Sequence, residues 1–348
     1  MTTNFERMMT EAARLMRTGN LNEATAAIQS ALGATPPAGL PAAWRAGTAD
    51  VIDVEARVVG EPASAPAAGA ESFTAGHFRN ECGGRDYKLF EPARDGRPLP
   101  LVVMLHGCTQ DPDDFARGTG MNALARAQGV LVLYPAQSQR GNAQRCWNWF
   151  KHNHQARGKG EPAILAGMVR DVIARHGVDP ARVFVAGLSA GGAMAAILGD
   201  AYPDVFAAVG VHSGLPTGSA TNVQTAFAAM SGGAPPAQRG AGATAAPPTI
   251  VFHGDADATV NVVNGARIVE AAGLHAGPGA KRETARDGTA YTRQAWVDAQ
   301  GGERGEQWTI HGAGHAWQGG RPEGSYTDAR GPDASAEMLR FFLQHPRR

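Results

Sequence analysis

The spacing of hydrophobic and polar residues changes along the chain. Over residues 4–33 apolar side chains recur at helical spacing, first as Phe5-Met8-Met9-Ala12-Leu15-Met16 and then as Leu21-Ala24-Ala27-Ile28-Leu32, with Gly19-Asn20 between them. An apolar stripe at a 3.6-residue period is what an amphipathic helix buries, so residues 1–33 are predicted to form a helical hairpin. Residues 34–72 turn to Ala, Pro and Gly, apart from a strand-like island at 51–59, and are predicted to be a mostly flexible linker. From residue 73 to 348 short apolar, β-branched runs alternate with helix-forming stretches, the signature of an α/β domain built on a mostly parallel twisted sheet with flanking helices. The expected strands are 87–90, 101–105, 130–134, 183–186, 207–211, 249–252 and 306–310. The expected helices are 121–128, 163–176, 190–201, 262–272 and 334–344. A Gly, Ala, Pro and Ser stretch within 213–247 holds one helix-like piece at 223–230 and is expected to form a small cap, since long loops in compact domains are often lids.

One of these strand-to-helix junctions carries chemistry. Gly187-Leu188-Ser189-Ala190-Gly191 is a G-x-S-x-G elbow, in which a strand turns so tightly into a helix that the serine is strained and its Oγ exposed. A helix cap explains the serine alone; the flanking glycines ask for a place where a Cβ would collide. A serine hydroxyl near neutral pH needs a base and an acid to orient that base. The elbow belongs to the α/β-hydrolase arrangement, whose chain order is Ser, then Asp or Glu, then His, on loops after later strands. His253-Gly254-Asp255-Ala256-Asp257 follows one such strand and His311-Gly312-Ala313-Gly314-His315 another. Either aspartate also suits a turn or helix cap. His315 lies in a glycine-relieved loop, whereas His311 falls at the strand end, so His315 is the candidate base. The oxyanion donors expected are the N–H of Ala190, which follows the serine, and that of Cys108 in Leu105-His106-Gly107-Cys108-Thr109-Gln110. Cys108 as a rival nucleophile has no base in an equivalent chain position.

These segments, together with Arg145-Cys146-Trp147-Asn148-Trp149-Phe150, Gly158-Lys159-Gly160-Glu161-Pro162 and Gly314-His315-Ala316-Trp317, resemble the polyhydroxybutyrate (PHB) depolymerase family of esterases. That family is itself similar to feruloyl and acetylxylan esterases. The resemblance runs over about residues 73–343. It implies a catalytic triad of Ser189, Asp257 and His315, because the family's acid follows a His-Gly-x-x-Asp-x-x-Val pattern that lands on Asp257 and leaves Asp255 a structural part. It also implies hydrolysis of carboxylic esters through an acyl-serine, with poly- or oligo-(3-hydroxybutyrate) as substrate and no metal or organic cofactor. The alternatives are a feruloyl or acetylxylan esterase, a non-catalytic polymer-granule binding protein and a serine peptidase. The hairpin resembles the leader of intracellular members.

Composition narrows the remaining choices. Among 348 residues, Lys+Arg and Asp+Glu are both 32, and this balance carries no footprint of a nucleic-acid binder. No run of about 18 apolar residues is present, so no membrane span is expected. The opening Met-Thr-Thr-Asn-Phe-Glu-Arg has an acid and leads into no apolar run, so no secretory signal is read and a cytoplasmic location is expected. Three cysteines, Cys82, Cys108 and Cys146, are too few for a disulfide-stapled fold, and whether Cys108 and Cys146 are bridged stays open. Trp147, Trp149 and Trp317 are candidates for a substrate-binding wall, with core packing as the alternative. Glu161, at the start of a helix, suits the positive end of the helix dipole. The hairpin's methionine-bearing face is expected to pack on the body, pair with a second copy or touch a polymer granule.

Overall fold

A computed structural model describes residues 69–232 and 245–347. The expected helical hairpin and nearly all of the linker therefore lie outside the described residues.

The apolar runs become strands of one sheet. Those introduced in chain order are β1 (Ser72–Asn80), β2 (Gly83–Glu91), β3 (Leu99–Leu105), β4 (Leu131–Pro135), β5 (Val178–Leu188), β6 (Ala208–His212), β7 (Thr249–Gly254), β8 (His275–Ala276), β9 (Lys281–Thr284), β10 (Ala290–Val297) and β11 (Glu303–Ile310). Their order across the sheet is β1-β2-β4-β3-β5-β6-β7-β11-β10-β8, with β9 also on β10. From β4 to β11 every neighbour is parallel, and the antiparallel pairs are confined to the two flanks. The expected α/β-hydrolase architecture, a mostly parallel sheet with flanking helices, is present.

Parallel strands covered on both faces must be apolar on both, which is why β3, β4 and β6 read as unbroken hydrophobic runs. On β3 the side chains alternate: Leu101, Val103 and Leu105 enter one core layer, and Val102 and Met104 enter the other. The first layer is closed by α3 (Gly160–Arg175), α4 (Ala190–Ala201) and α6 (Val263–Ala271), through residues such as Leu165, Val169, Met194, Ile197 and Ile268. The second is closed by α1 (Pro112–Thr119), α2 (Met121–Gln128) and α7 (Ala334–Gln344), through Phe115, Met121, Met338 and Phe342.

Within the expected cap, α5 (Val223–Met230) starts at a capping box made by Asn222 and Thr225, and residues 233–244 lie outside the described residues. Ala226, Phe227 and Ala229 are buried, and Asn264 donates its side-chain N–H to the Ala229 carbonyl at 3.0 Å, so this helix is packed onto the body. Among the described residues no helix is long and apolar enough to cross a membrane.

Candidate active site

β5 runs into α4 with Ser189 alone between them, at φ 57° and ψ −118°. Such a conformation costs a β-carbon-bearing residue about 1–3 kcal/mol and persists only where its surroundings over-determine it. Those surroundings are visible. A Cβ on Gly187 would lie 2.3 Å from the Gly191 carbonyl carbon, and one on Gly191 would lie 2.1 Å from the Leu105 carbonyl oxygen of β3. The Ser189 N–H donates to the His212 carbonyl at 2.8 Å, while the Ser189 carbonyl accepts the Ala193 N–H at 2.9 Å. The serine is thus fixed by its backbone, and its side chain is half-buried.

The acid and the base meet because their strands do. β7 and β11 are parallel neighbours, with Gly254 opposite Ile310 at the carboxyl edge. Beyond that edge the two loops stay joined: Asp255 N–H donates to the Ile310 carbonyl and Ala256 N–H to the Ala313 carbonyl, both at 3.0 Å. Gly254 permits the approach, since a Cβ there would sit 2.2 Å from the Ala313 oxygen. The Asp257 side chain is fully buried, and its Oδ2 lies 2.7 Å from His315 Nδ1. Its Oδ1 accepts the Thr259 and Val260 N–H groups, each at 2.8 Å. Burial opposes the carboxylate's charge, but His253 Nε2 at 3.5 Å, the His315 ring and the Val260 N–H outweigh it and hold Asp257 well below the usual carboxylate range.

The same two loops hold a second such pair. Asp255 Oδ2 lies 2.8 Å from His311 Nδ1, and its Oδ1 accepts the Gly312 N–H at 2.7 Å. His311 Nε2 is engaged as well, at 2.9 Å from Thr292 Oγ1. A base must have one ring nitrogen held and the other free. Among the described residues His315 Nε2 has no hydrogen-bond partner, so His315 meets that condition and His311 does not.

Ser189 and His315 flank one buried residue, His212, although no hydrogen bond joins them in this conformation. The His212 carbonyl takes the Ser189 N–H, and its ring stacks on Trp317, two residues from His315, with centroids 5.1 Å apart. Burial, then the neighbouring His253 and His315, push the His212 imidazole down to about 3, so it stays neutral and is no proton carrier near neutral pH.

Both expected oxyanion donors are unused: among the described residues neither the Ala190 N–H nor the Cys108 N–H has an internal acceptor. Ala190 opens α4, where the N–H groups are unpaired by construction. Cys108 is bridged to Cys146, which resolves the pairing that composition leaves open; Cys82 is free. The Cys108 loop runs beside the elbow, for a Cβ on Gly107 would be 3.6 Å from the Leu188 carbonyl oxygen. Among the described residues no cluster of three metal-ligating side chains occurs.

The tryptophans call for a correction. Trp147 is 0%, Trp149 6% and Trp317 1% exposed, so none offers a face to a substrate. A buried indole N–H seeks an acceptor. Trp147 Nε1 donates to the His106 carbonyl at 3.1 Å and Trp317 Nε1 to Ser335 Oγ at 3.0 Å. Trp149 packs edge-on against Phe150 at 5.7 Å. Trp147 packs against His106 at 5.5 Å and Trp317 against His212 at 5.1 Å, so these two rings stand behind the site. His212 and His253 were not singled out by the sequence; His253 stands in the same His-Gly-x-x-Asp pattern as Asp257, which was the signal available.

Comparison with known proteins places the chain among esterases. The chain is 34% identical over 240 residues to poly(3-hydroxyalkanoate) depolymerase C of Paucimonas lemoignei, covering 66% of this chain and 58% of that one. It is 32% identical over 128 residues to feruloyl esterase B of Thermothelomyces thermophilus, covering 36% and 43% of the two. The chain therefore spans less than two thirds of the length of these relatives. In fold it is similar to an acetyl xylan esterase from Aspergillus awamori, with a TM-score of 0.59 over 74% of this chain and 94% of that one at 21% identity. The family described as Esterase PHB depolymerase matches residues 86–286, and the chain belongs to it.

Proposed function

We propose that the protein is a serine esterase that hydrolyses carboxylic esters, acting on poly- or oligo-(3-hydroxybutyrate)-type polyesters through an acyl-serine intermediate. The observation that carries this reading is the 2.7 Å contact between His315 Nδ1 and the buried Asp257 carboxylate, beside a strained elbow serine. In the proposed reaction Ser189 Oγ forms a bond to the ester carbonyl carbon as its proton passes to His315 Nε2. The Ala190 and Cys108 N–H groups hold the oxygen that becomes negative, an interaction worth about 3–4 kcal/mol per donor in comparable sites. The carbon–alkoxide bond then breaks, His315 protonates the departing alcohol, and water repeats the sequence on the acyl-serine.

Ser189→Ala is expected to lower turnover of p-nitrophenyl butyrate by at least about 10⁴-fold, as removal of a triad member does. A folded variant that keeps the parent rate would sink the assignment. A feruloyl or acetylxylan esterase is the second reading, supported by a feruloyl esterase relative of nearly equal identity. Parallel rates on 3-hydroxybutyrate oligomers, methyl ferulate and acetylated xylo-oligosaccharides separate the two. A silent granule-binding protein would leave Ser189 unlabelled by a fluorophosphonate. For the N-terminal hairpin the reading kept is contact with a second copy or a polymer granule. The expected cytoplasmic location meets a counter-argument in the Cys108–Cys146 bridge, which favours an oxidising compartment. Thiol labelling of cell fractions decides between them.

A further inference from the structure

We propose that Glu161 is a positioning residue for the oxyanion loop, holding the His106–Cys108 backbone in place through a buried hydrogen-bonded bracket that ends at both sides of the Cys108–Cys146 bridge. This inference rests on the ester-hydrolase reading above, with Cys108 as one donor.

Glu161 is in the first turn of α3, where a carboxylate that only favoured the helix dipole would sit in solvent. Instead its side chain is 1% exposed, and the donors it accepts come from other elements. Oε2 accepts the Asn148 backbone N–H at 2.7 Å. Oε1 accepts Asn148 Nδ2 at 2.7 Å, Arg85 Nη2 of β2 at 3.0 Å and Gln137 Nε2. Burial works against the charge, but the His154 ring beside it and the Asn148 and Gln137 donors hold the carboxyl below its usual range.

The partners lead to the site by two short routes. Gln137 Nε2 also donates to the Cys146 carbonyl at 2.9 Å, and the Gln137 backbone N–H donates to His106 Nε2 at 3.1 Å. His106 Nδ1 in turn donates to the Gly107 carbonyl at 2.7 Å, the peptide that carries the Cys108 N–H. By the second route Asn148 fixes its neighbour Trp147, whose Nε1 holds the His106 carbonyl. Gln137, Asn148, Trp147 and His106 are each no more than 3% exposed, so water does not substitute for a lost member. The bracket gives a part to Cys146, Trp147, Asn148 and Glu161, members of two motifs that the triad leaves unexplained.

An oxyanion donor acts within a few tenths of an ångström, and a displacement of about 1 Å can cost 10²-fold in rate. Glu161→Gln puts an amide N–H where Asn148 already presents donors. We expect kcat on p-nitrophenyl butyrate to fall about 10- to 100-fold with KM changed less than about threefold, the signature of an interaction made in the transition state. The inhibition constant of a trifluoromethyl ketone, whose adduct with Ser189 carries the oxyanion, should rise by the same factor as kcat/KM falls. Val169→Ala, in the buried face of the same helix, serves as a variant destabilised without touching the bracket, and should leave both quantities unchanged. If Glu161→Gln does not fold, Gln137→Met removes the Nε2 donor to Glu161 and to the Cys146 carbonyl, keeps the backbone N–H that reaches His106, and is expected to act in the same direction. A folded Glu161→Gln or Gln137→Met with parental kcat and parental ketone affinity overturns the proposal while leaving the esterase reading intact. A parent protein that hydrolyses no ester and takes no fluorophosphonate at Ser189 overturns both.

Discussion

Asp257→Asn isolates the part of the site that the structure defines best. The change keeps the shape and removes the charge. The Thr259 and Val260 N–H groups, both 2.8 Å from Oδ1, require an acceptor and will keep the asparagine oxygen there. The amide N–H₂ is then forced to the Oδ2 position, 2.7 Å from His315 Nδ1. Two donors cannot share that contact, so the imidazole must present a bare Nδ1 and carry its proton on Nε2, the nitrogen that has to receive one from Ser189. A wrong tautomer of this kind costs about 10⁴-fold in kcat, which is about 5 kcal/mol of barrier. The loop keeps its backbone bonds, so the stability lost should be only about 1–3 kcal/mol, that of one charge-assisted hydrogen bond. Asp255→Asn is the internal control. Its partner His311 is already engaged at both ring nitrogens, and the pair's side chains are 36% and 27% exposed. An exposed pair is worth about 0–1 kcal/mol, and kcat should stay within about threefold of the parent. The assay is p-nitrophenyl butyrate turnover normalised to folded protein by thermal melts. A folded Asp257→Asn that keeps a tenth of the parental kcat, or an Asp255→Asn that loses as much as Asp257→Asn, would refute the assignment.

Acid should weaken the fold before its carboxylates titrate. Burial, the largest cause in each case, pushes His106 down to about 4 and His212 to about 3, whereas in the unfolded chain both return to about 6.5. The folded values are the lower ones, so the stability these rings contribute is full above about pH 6.5 and falls as pH drops toward 4 and then 3, by about 1.4 kcal/mol per unit for each ring. A urea midpoint unchanged between pH 7 and pH 5 would contradict this. Alkylation of the native protein should modify Cys82 alone, and replacing both Cys108 and Cys146 by alanine, 38 residues apart, should cost about 4 kcal/mol in urea unfolding. Modification of three thiols without reductant would remove the bridge. Gly191→Ala should destabilise by more than about 3 kcal/mol, since backbone oxygens at 2.1 and 2.6 Å leave a Cβ no flexible neighbour to displace; an unaltered melting temperature would show that the elbow is looser than described.

How much of this is written in the sequence depends on whether the cause is local. β3, β4, β6, β7 and the second half of β5 are legible because strands buried on both faces must be apolar throughout, whereas in β11 only the Trp-Thr-Ile end marks a strand among Glu, Arg and Gln. β1 and β10 were missed for the opposite reason. They lie in the antiparallel flanks, and segments such as Tyr-Thr-Arg-Gln in β10 are half-buried on either side, so no apolar run marks them. α1 is not announced by an apolar stripe of any length, since Asp111, Pro112 and two further aspartates have the composition of a turn, though Asp111 caps the helix. In the site, Gly187 and Gly191 are legible since a close approach of backbones admits no other residue. The order of Ser189, Asp257 and His315 follows from strand order. The roles of Asp255 and Asp257 are not separable by spacing, because each sits one short loop beyond β7 and each takes a histidine. The position of an indole in the chain says nothing of where its N–H ends, and for Trp147 and Trp317 it ends inside, on the His106 carbonyl and Ser335 Oγ.

What no pattern in the sequence announces is the strain. The non-glycine residues with positive φ among the described residues are Thr109, Arg145, Ser189, Ser213 and Tyr326. Their positions are not scattered. Thr109 follows Cys108, Arg145 precedes its bridged partner Cys146, and Ser213 follows the residue that holds the Ser189 N–H. Tyr326 accepts the Trp317 N–H at 2.8 Å through its carbonyl and reaches Thr109 Oγ1 with its hydroxyl at 3.3 Å. At about 1–3 kcal/mol each, these conformations amount to a sizeable fraction of a domain's net stability and require support from around them. The support is the covalent bridge, the Glu161 bracket and the close-packed glycines, all of which fix main-chain rather than side-chain position. With the backbone N–H groups of Ala190 and Cys108 as the proposed oxyanion donors, the site cannot be tuned by choosing side chains at those two positions; it has to be held by geometry, and the surrounding sequence supplies the hold.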